Sequence, residues 1–231
     1  MVPDQQLTSR GGLFSLSPTS EGLFAYINTN PPQRYFYYYV PYTTKIRYVQ
    51  FQNGSLAFSL VDPSFNNPYD ELPRPSVLSS QYMRVGPDGH LRMYDWNWVE
   101  VYDVLKESVH YCGYPMACGN YGICINDQYC SCPGPKNGTS YFQPINDREL
   151  HLGCSMVTPL SCEASKNHIL LEVENITYFP FQEYPPNITA DRQHINLESC
   201  KQACLNDCSC KAAIYDSWNN GENCYLQFQI F

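Results

Sequence analysis

Twelve cysteines carry most of the chemistry this 231-residue chain can do, and all of them lie after residue 111. They fall into two groups of six: Cys112, Cys118, Cys124, Cys130, Cys132 and Cys154, then Cys162, Cys200, Cys204, Cys208, Cys210 and Cys224. Clustered thiols either hold a metal or oxidise to cystine. Zinc is usually held by paired C-x2-4-C knuckles, which the first group lacks, and it suits a reducing compartment. An even count in each group reads instead as two disulfide frameworks. Such frameworks persist on the outside of cells and are rare in the cytosol.

Four Asn-x-Ser/Thr acceptors point the same way: Asn53-Gly-Ser, Asn137-Gly-Thr, Asn175-Ile-Thr and Asn187-Ile-Thr. Each fits the N-glycosylation pattern, which belongs to exposed loops of exported proteins. The opening residues, Met1-Val-Pro-Asp-Gln-Gln, have neither the basic nor the apolar region of a signal peptide. No apolar run of about 20 residues is present to span a bilayer. Export chemistry without an export signal suggests a piece of a longer secreted or membrane-anchored protein.

The elements that must position these cysteines read as β. Charged residues are only 16% and aromatics 15%, too apolar a balance for disorder. The net charge of −8 argues against nucleic acid and against anionic membranes. Gly12 to Ile27 holds two apolar runs around a Pro-Thr-Ser-Glu turn. Asn53-Gly54 separates Arg47-Tyr-Val-Gln-Phe-Gln from Ser55-Leu-Ala-Phe-Ser-Leu, and Gly86-Pro-Asp-Gly89 separates Tyr82-Met-Arg-Val from His90-Leu-Arg-Met-Tyr. Both are hairpin signals. Glu21-Gly22-Leu23, Asn53-Gly54-Ser55-Leu56 and Asp88-Gly89-His90-Leu91 echo one another, each a turn glycine feeding an apolar strand, as in a β-prism or sandwich. Residues 61–79 form a proline-rich connection through Pro63, Pro68, Pro73 and Pro75.

Two aromatic clusters stand out. Tyr35-Phe36-Tyr37-Tyr38-Tyr39 fits a ligand platform, or a strand covered on both faces, which β-propensity alone would select. Trp96 and Trp98 are two apart, so a strand would place both on one face, in a core or packing surface.

The first cysteine group reads C-x5-C-x5-C-x5-C-x-C-x21-C. Its C-x-C, in a six-cysteine module, is the mark of an EGF-like fold. No tandem carboxylates precede Cys112, so calcium is not expected. In the second group Asn196 can cap a helix through Leu197-Glu-Ser-Cys-Lys-Gln-Ala-Cys-Leu. Cys200 and Cys204 are then i, i+4 on one face, above a strand from Cys210-Lys-Ala-Ala-Ile-Tyr and a turn at Asn219-Asn-Gly-Glu-Asn. One helix stapled to a small sheet is the PAN/apple arrangement.

This order of modules resembles the ectodomain of plant S-domain, or G-type lectin, receptor-like serine/threonine kinases. Gly12-Leu-Phe-Ser-Leu-Ser to Pro32 is similar to the end of a bulb-type lectin domain, and Tyr82-Met-Arg-Val-Gly-Pro-Asp-Gly-His-Leu-Arg-Met-Tyr-Asp-Trp to the S-locus glycoprotein domain. Cys118-Gly-Asn-Tyr-Gly-Ile-Cys with Cys130-Ser-Cys-Pro resembles the EGF-like module, and Cys200-Lys-Gln-Ala-Cys-Leu-Asn-Asp-Cys-Ser-Cys-Lys-Ala the PAN/apple module. The resemblance implies a mainly β, multi-module, disulfide-rich fold. Residues 1–60 would be a lectin remnant with a partial β-sheet, 61–111 the S-locus β region, 112–154 the EGF-like module and 162–231 the PAN/apple module. It also implies a disulfide map: Cys112–Cys124, Cys118–Cys130, Cys132–Cys154, Cys162–Cys208, Cys200–Cys224 and Cys204–Cys210.

The function implied is non-catalytic recognition on the extracellular side of the plasma membrane, of the pollen or defence type. The partner would be an extracellular ligand or another receptor ectodomain, alike or different. The mannose pattern of bulb lectins, Q-x-D-x-N-x-V-x-Y, is absent. A carbohydrate-binding lectin module and a secreted S-locus-type glycoprotein without a kinase are the alternatives. An enzyme is disfavoured: there is no G-x-S-x-G elbow, H-E-x-x-H helix or glycine-rich phosphate loop, and His90, His110, His151, His168 and His194 form no motif. No cofactor or metal is expected.

Overall fold

The structure, a computed structural model, describes every residue except 53, 67, 73–81, 177, 180–189 and 218–221. Several expectations therefore lie wholly or partly outside the described residues: the Asn53 acceptor with its hairpin turn, the Asn187 acceptor, Thr177 of the Asn175 acceptor, the later prolines of the 61–79 connection, and the turn at Asn219. The chain is mainly β and divides into two compact units, Met1–Pro115 and Met116–Phe231.

The first unit contains three antiparallel sheets. One is built from β1 (Leu7–Thr8), β2 (Phe14–Pro18), β3 (Gly22–Ile27) and β4 (Gln33–Tyr39). The second holds β5 (Ile46–Gln52), β6 (Ser55–Leu60) and β7 (Asp70–Leu72). The third holds β8 (Tyr82–Val85), β9 (Leu91–Tyr94) and β10 (Glu100–Asp103). The expected hairpins are β5–β6 and β8–β9. The three echoed turn glycines feed β3, β6 and β9, each of which is flanked by a strand on both sides. That position explains their sequences. β6 is buried throughout, so Leu56, Phe58 and Leu60 alternate with the small Ser55, Ala57 and Ser59. Each sheet also carries one extra residue on an outer strand, at Tyr35, Arg47 and Val101, the bulge that lets a strand bend and twist around a core.

The sheets share that core. β2 lies against β5 and β8, and Phe14, Leu16, Leu23, Ile27, Val49, Phe58, Leu91 and Met93 are among the largest fully buried side chains. Burying one such side chain stabilises the fold by about 1.5–3 kcal/mol. Tyr38 stacks on Phe58 across the first two sheets, with ring centroids 4.7 Å apart. Tyr35 meets Phe14 edge-on at 5.8 Å and donates its hydroxyl to the Gly89 carbonyl at 2.6 Å, joining the first sheet to the β8–β9 turn. Residues 1–60 and 61–111 thus fall within one unit. A short helix, α1 (Lys106–Gly113), closes it by burying Val109; a left-handed residue, His110 at φ 56°, interrupts its helical geometry.

Two aromatic readings need correction. β4 is a strand, but it is not covered on both faces: Tyr35 and Phe36 are buried, while Tyr37 and Tyr39 are 43% and 44% exposed. The extra residue at Tyr35 breaks the simple alternation. Trp96 and Trp98 are not in a strand or a core. They occupy the turn between β9 and β10 and are 78% and 70% exposed. The Asp95 side chain takes the backbone away from the ladder, accepting from the Asn97 and Val99 N–H groups at 2.8 and 3.0 Å, the competition that short polar side chains offer to a strand.

The second unit contains three small sheets. β11 (Ile123–Ile125) pairs with β12 (Tyr129–Ser131), and β13 (Phe142–Pro144) with β14 (Cys154–Met156). β17 (Asn223–Gln227) lies between β15 (Arg192–Gln193) and β16 (Ala212–Asp216), with helix α2 (Leu197–Leu205) packed over β16 and β17. No helix among the described residues is long and apolar enough to cross a membrane.

Candidate functional site

No described cysteine is free. In the first group Cys118 is bonded to Cys130 and Cys132 to Cys154, with Cα separations of 5.3 and 5.8 Å. Cys112 and Cys124 are also in disulfides. The β11–β12 hairpin presents the first of these bridges. Asn126 and Asp127, both with positive φ, form its two-residue tight turn, closed by the Gln128 N–H to Ile125 carbonyl bond at 3.1 Å. Cys124 and Cys130 face each other across the ladder, and Cys132 follows one residue after β12's Ser131.

The Cys118-Gly-Asn-Tyr-Gly stretch has a steric reason. A Cβ on Gly122 would lie 1.8 Å from the Cys118 carbonyl oxygen, and one on Gly119, at φ +61°, would lie 2.6 Å from the Leu152 backbone. The chain folds back on itself so closely that only glycine fits at either place. The Cys154 N–H donates to the Asn120 carbonyl at 2.8 Å, so the loop that starts at Cys118 also positions β14.

In the second group the bridges are Cys162–Cys208, Cys200–Cys224 and Cys204–Cys210, with Cα separations of 5.3, 5.6 and 5.3 Å. Helix α2 begins at Asn196, whose side chain accepts the Ser199 N–H at 2.8 Å. From there Cys200 and Cys204 fall one turn apart on the buried face. Cys200 reaches down to Cys224 in the central strand β17, and Cys204 to Cys210 just before β16. After the helix the Asp207 side chain turns the chain by accepting from the Ser209 N–H and hydroxyl at 3.0 and 2.6 Å. Those hydrogen bonds hold its carboxyl below the usual range. The Asp191 carboxylate accepts the Leu226 N–H at 2.7 Å, tying the segment before β15 to β17.

Of the expected glycan acceptors, Asn137 and Asn175 are described and both are exposed. Asn137 and Gly138 take positive φ in a tight turn closed by reciprocal hydrogen bonds between Lys136 and Thr139, each 3.0 Å.

The first unit adds a charged cluster that no sequence motif announced. Arg92 makes a two-pronged contact with Asp88 at 2.8 and 2.6 Å and reaches Glu100 at 3.1 Å. Burial pushes the Asp88 carboxyl up, but the Arg92 hydrogen bond and charge outweigh it and leave the group below its ordinary value. His90 Nδ1 lies 2.5 Å from Asp103, and its ring stacks on Tyr114 at 3.7 Å. Two exposed aromatic surfaces accompany it, one within the tyrosine cluster that also read as a ligand platform and one that the sequence did not announce. In one, Arg34 sits over Phe24, Tyr37 and Tyr39 at 4.9, 5.7 and 5.7 Å. In the other, the Trp98 ring lies 4.5 Å from Tyr82, which stacks on Tyr94 at 5.3 Å. The period-2 pattern that identifies strands carries no information on which turns hold indoles outward.

Comparison with known proteins bears on the second cysteine group. Residues 162–230 match the PAN-like domain family. The chain is 27% identical over 151 residues to a PAN domain-containing protein of Arabidopsis thaliana, covering 62% of this chain and 27% of that protein. It is 30% identical over 149 residues to an Arabidopsis thaliana G-type lectin S-receptor-like serine/threonine-protein kinase, covering 58% and 16%. It is 27% identical over 142 residues to EP1-like glycoprotein 2 of the same plant, covering 58% and 29%. The chain therefore spans less than a third of the length of each of these relatives, and its cystine-stapled helix α2 on β15–β17 lies within the stretch that matches the PAN-like domain.

Proposed function

We propose that this chain is a non-catalytic recognition region that works outside the cell, as part of a receptor-like protein. The observation that carries the reading is the PAN-like match over 162–230, in a chain that is also similar to S-receptor-like kinases well upstream of that segment. In this reading 112–154 is an EGF-like spacer, with Cys112 bridged to Cys124, and the β-rich N-terminal residues are the lectin-like and S-locus portions. Asn53, Asn137, Asn175 and Asn187 carry N-glycans. The kinase and the membrane span belong to the longer parent. Twelve cystine-forming cysteines support an oxidising, extracellular setting.

A secreted glycoprotein without a kinase is the second reading. It is favoured by relatives whose names carry no kinase, the PAN domain-containing protein and EP1-like glycoprotein 2.

The PAN-like module is the proposed contact for association between ectodomains. The test is sedimentation of the exported chain across a concentration series, alongside Cys204→Ser. Wild type should self-associate, or associate with a second S-receptor-like ectodomain added to it. The variant loosens α2 and should lose that association while residues 1–115 keep their fold. A Cys204→Ser chain that exports, folds and associates like wild type would exclude the module as the contact.

A further inference from the structure

The bridges are not equally open to solvent. Cys162 is the one cysteine of the twelve that is exposed, and its partner Cys208 is half-buried. The other two bridges of the second group are shielded: Cys200, Cys224, Cys204 and Cys210 are 1%, 0%, 3% and 7% exposed. In the first group Cys118–Cys130 is buried at both ends and Cys132–Cys154 at one, while Cys112 and Cys124 are half-buried.

The exposed bridge also holds a different kind of chain from the buried ones. Cys162 opens a short 3-10 turn, Cys162–Asn167, and Cys208 follows the end of α2. Residues 162–176 form no strand and are largely exposed. Their turns are closed locally, the Ala164 N–H donating to the Ser161 carbonyl at 3.0 Å and the His168 N–H to the Ser165 carbonyl at 3.1 Å. Across to α2, Lys201 meets Glu172 at 3.2 Å, but the Glu172 side chain is 48% exposed, and exposed pairs contribute little. Helix α2 itself is pinned twice. Cys200 fixes its first turn to β17, and Cys204 fixes its last turn to Cys210. Opening Cys162–Cys208 therefore frees the 162–176 segment from the helix end and leaves α2 on its sheet. Thiol–disulfide exchange needs a thiolate to reach a disulfide sulfur, so access selects the bridge that reacts, and exposed bridges are the labile ones.

We propose that Cys162–Cys208 is a thiol-exchangeable latch of the PAN-like module, opened by an extracellular dithiol. The proposal rests on the recognition reading above for the module's setting outside the cell. One thiolate of the dithiol attacks the exposed Cys162 sulfur and forms a mixed disulfide. The Cys162–Cys208 bond breaks, and Cys208 leaves as a thiolate and takes up a proton. The second thiol of the reductant, losing its proton, attacks the mixed disulfide, closes the reductant into a cyclic disulfide and releases Cys162, which is protonated in turn. Two electrons pass from the dithiol to the bridge, and the two thiol protons are accounted for on the two cysteines.

The test treats the exported full chain with a dithiothreitol series in the absence of denaturant. Free thiols are trapped with iodoacetamide and located by peptide mass spectrometry. Cys162 and Cys208 should be labelled together, at a dithiothreitol concentration about tenfold or more below that needed for Cys200, Cys204, Cys210 and Cys224. At that point a lysine-specific protease should cut after the exposed Lys166 about tenfold faster than in the oxidised chain, while Lys201 in α2 stays resistant, since cleavage follows local opening. Labelling of the four shielded cysteines at the same concentration as Cys162 overturns the proposal. So does an unchanged rate at Lys166, or new cleavage at Lys201. Neither readout depends on association, so this test can fail while the Cys204→Ser test succeeds, and the reverse.

Discussion

Four phenols sit where a negative charge is poorly tolerated. Burial pushes Tyr35 far up, and the Asp88 and Asp103 carboxylates add to it. Tyr114 is raised by burial and then by Asp103. Tyr38 is raised by burial and by its hydrogen bond to Asp70, and Tyr178 by burial. Each is favoured neutral in the folded chain. The stability this supplies is complete below the unfolded phenol value of about 10 and is lost as pH rises above it. Absorbance at the phenolate band should therefore show an early class of the 20 tyrosines and a late class that ionises only as the protein unfolds. A Tyr35→Phe and Tyr114→Phe chain should show a smaller late class. A single smooth titration of all twenty at the ordinary value would contradict the buried placement of these rings.

At the scale of elements, the caps and turns decide what forms. Helix α2 has nine residues, too short to be stable alone in water. It depends on the Asn196 cap and on Cys200 and Cys204 beneath it. Asn196→Ala should cost about 1 kcal/mol, seen as a lower melting temperature of the C-terminal unit with the disulfides intact. An unchanged melting temperature would mean the bridges alone hold the helix. This element was legible in the chain because its start signal and its cysteine spacing agree. The β5–β6 and β8–β9 hairpins were legible for the same reason, a turn glycine between alternating runs. α1 was not: its N-terminal flank is Leu105, with no capping side chain, and His110 breaks its regular geometry. β1, with two residues, and β7, with three, are held by their neighbours rather than by their own pattern. The cysteines of the candidate site could be read from count and spacing. The aromatic turn could not, because one carboxylate, that of Asp95, overrides an alternation that otherwise spells strand.

At the scale of the whole molecule, covalent cross-links are distributed unevenly. Residues 1–111 contain no cysteine. Beyond them the closed loops Cys118–Cys130, Cys132–Cys154, Cys162–Cys208 and Cys200–Cys224 follow one another or overlap. Under load this unevenness becomes a mechanical property. Tension applied at the two ends can draw out only chain that lies outside a closed loop. An extended residue spans at most about 3.5 Å, so the cysteine-free stretch can lengthen by up to roughly 380 Å. The C-terminal unit yields only the few residues between its bridges. It would act as a short, stiff strap, and the β-rich unit as the part that gives way. Pulled in an optical trap, the oxidised chain should release one long segment and then resist. With a thiol reductant present, further lengthening should appear as the loops open. A full-length extension without reductant would show that the strap is not closed.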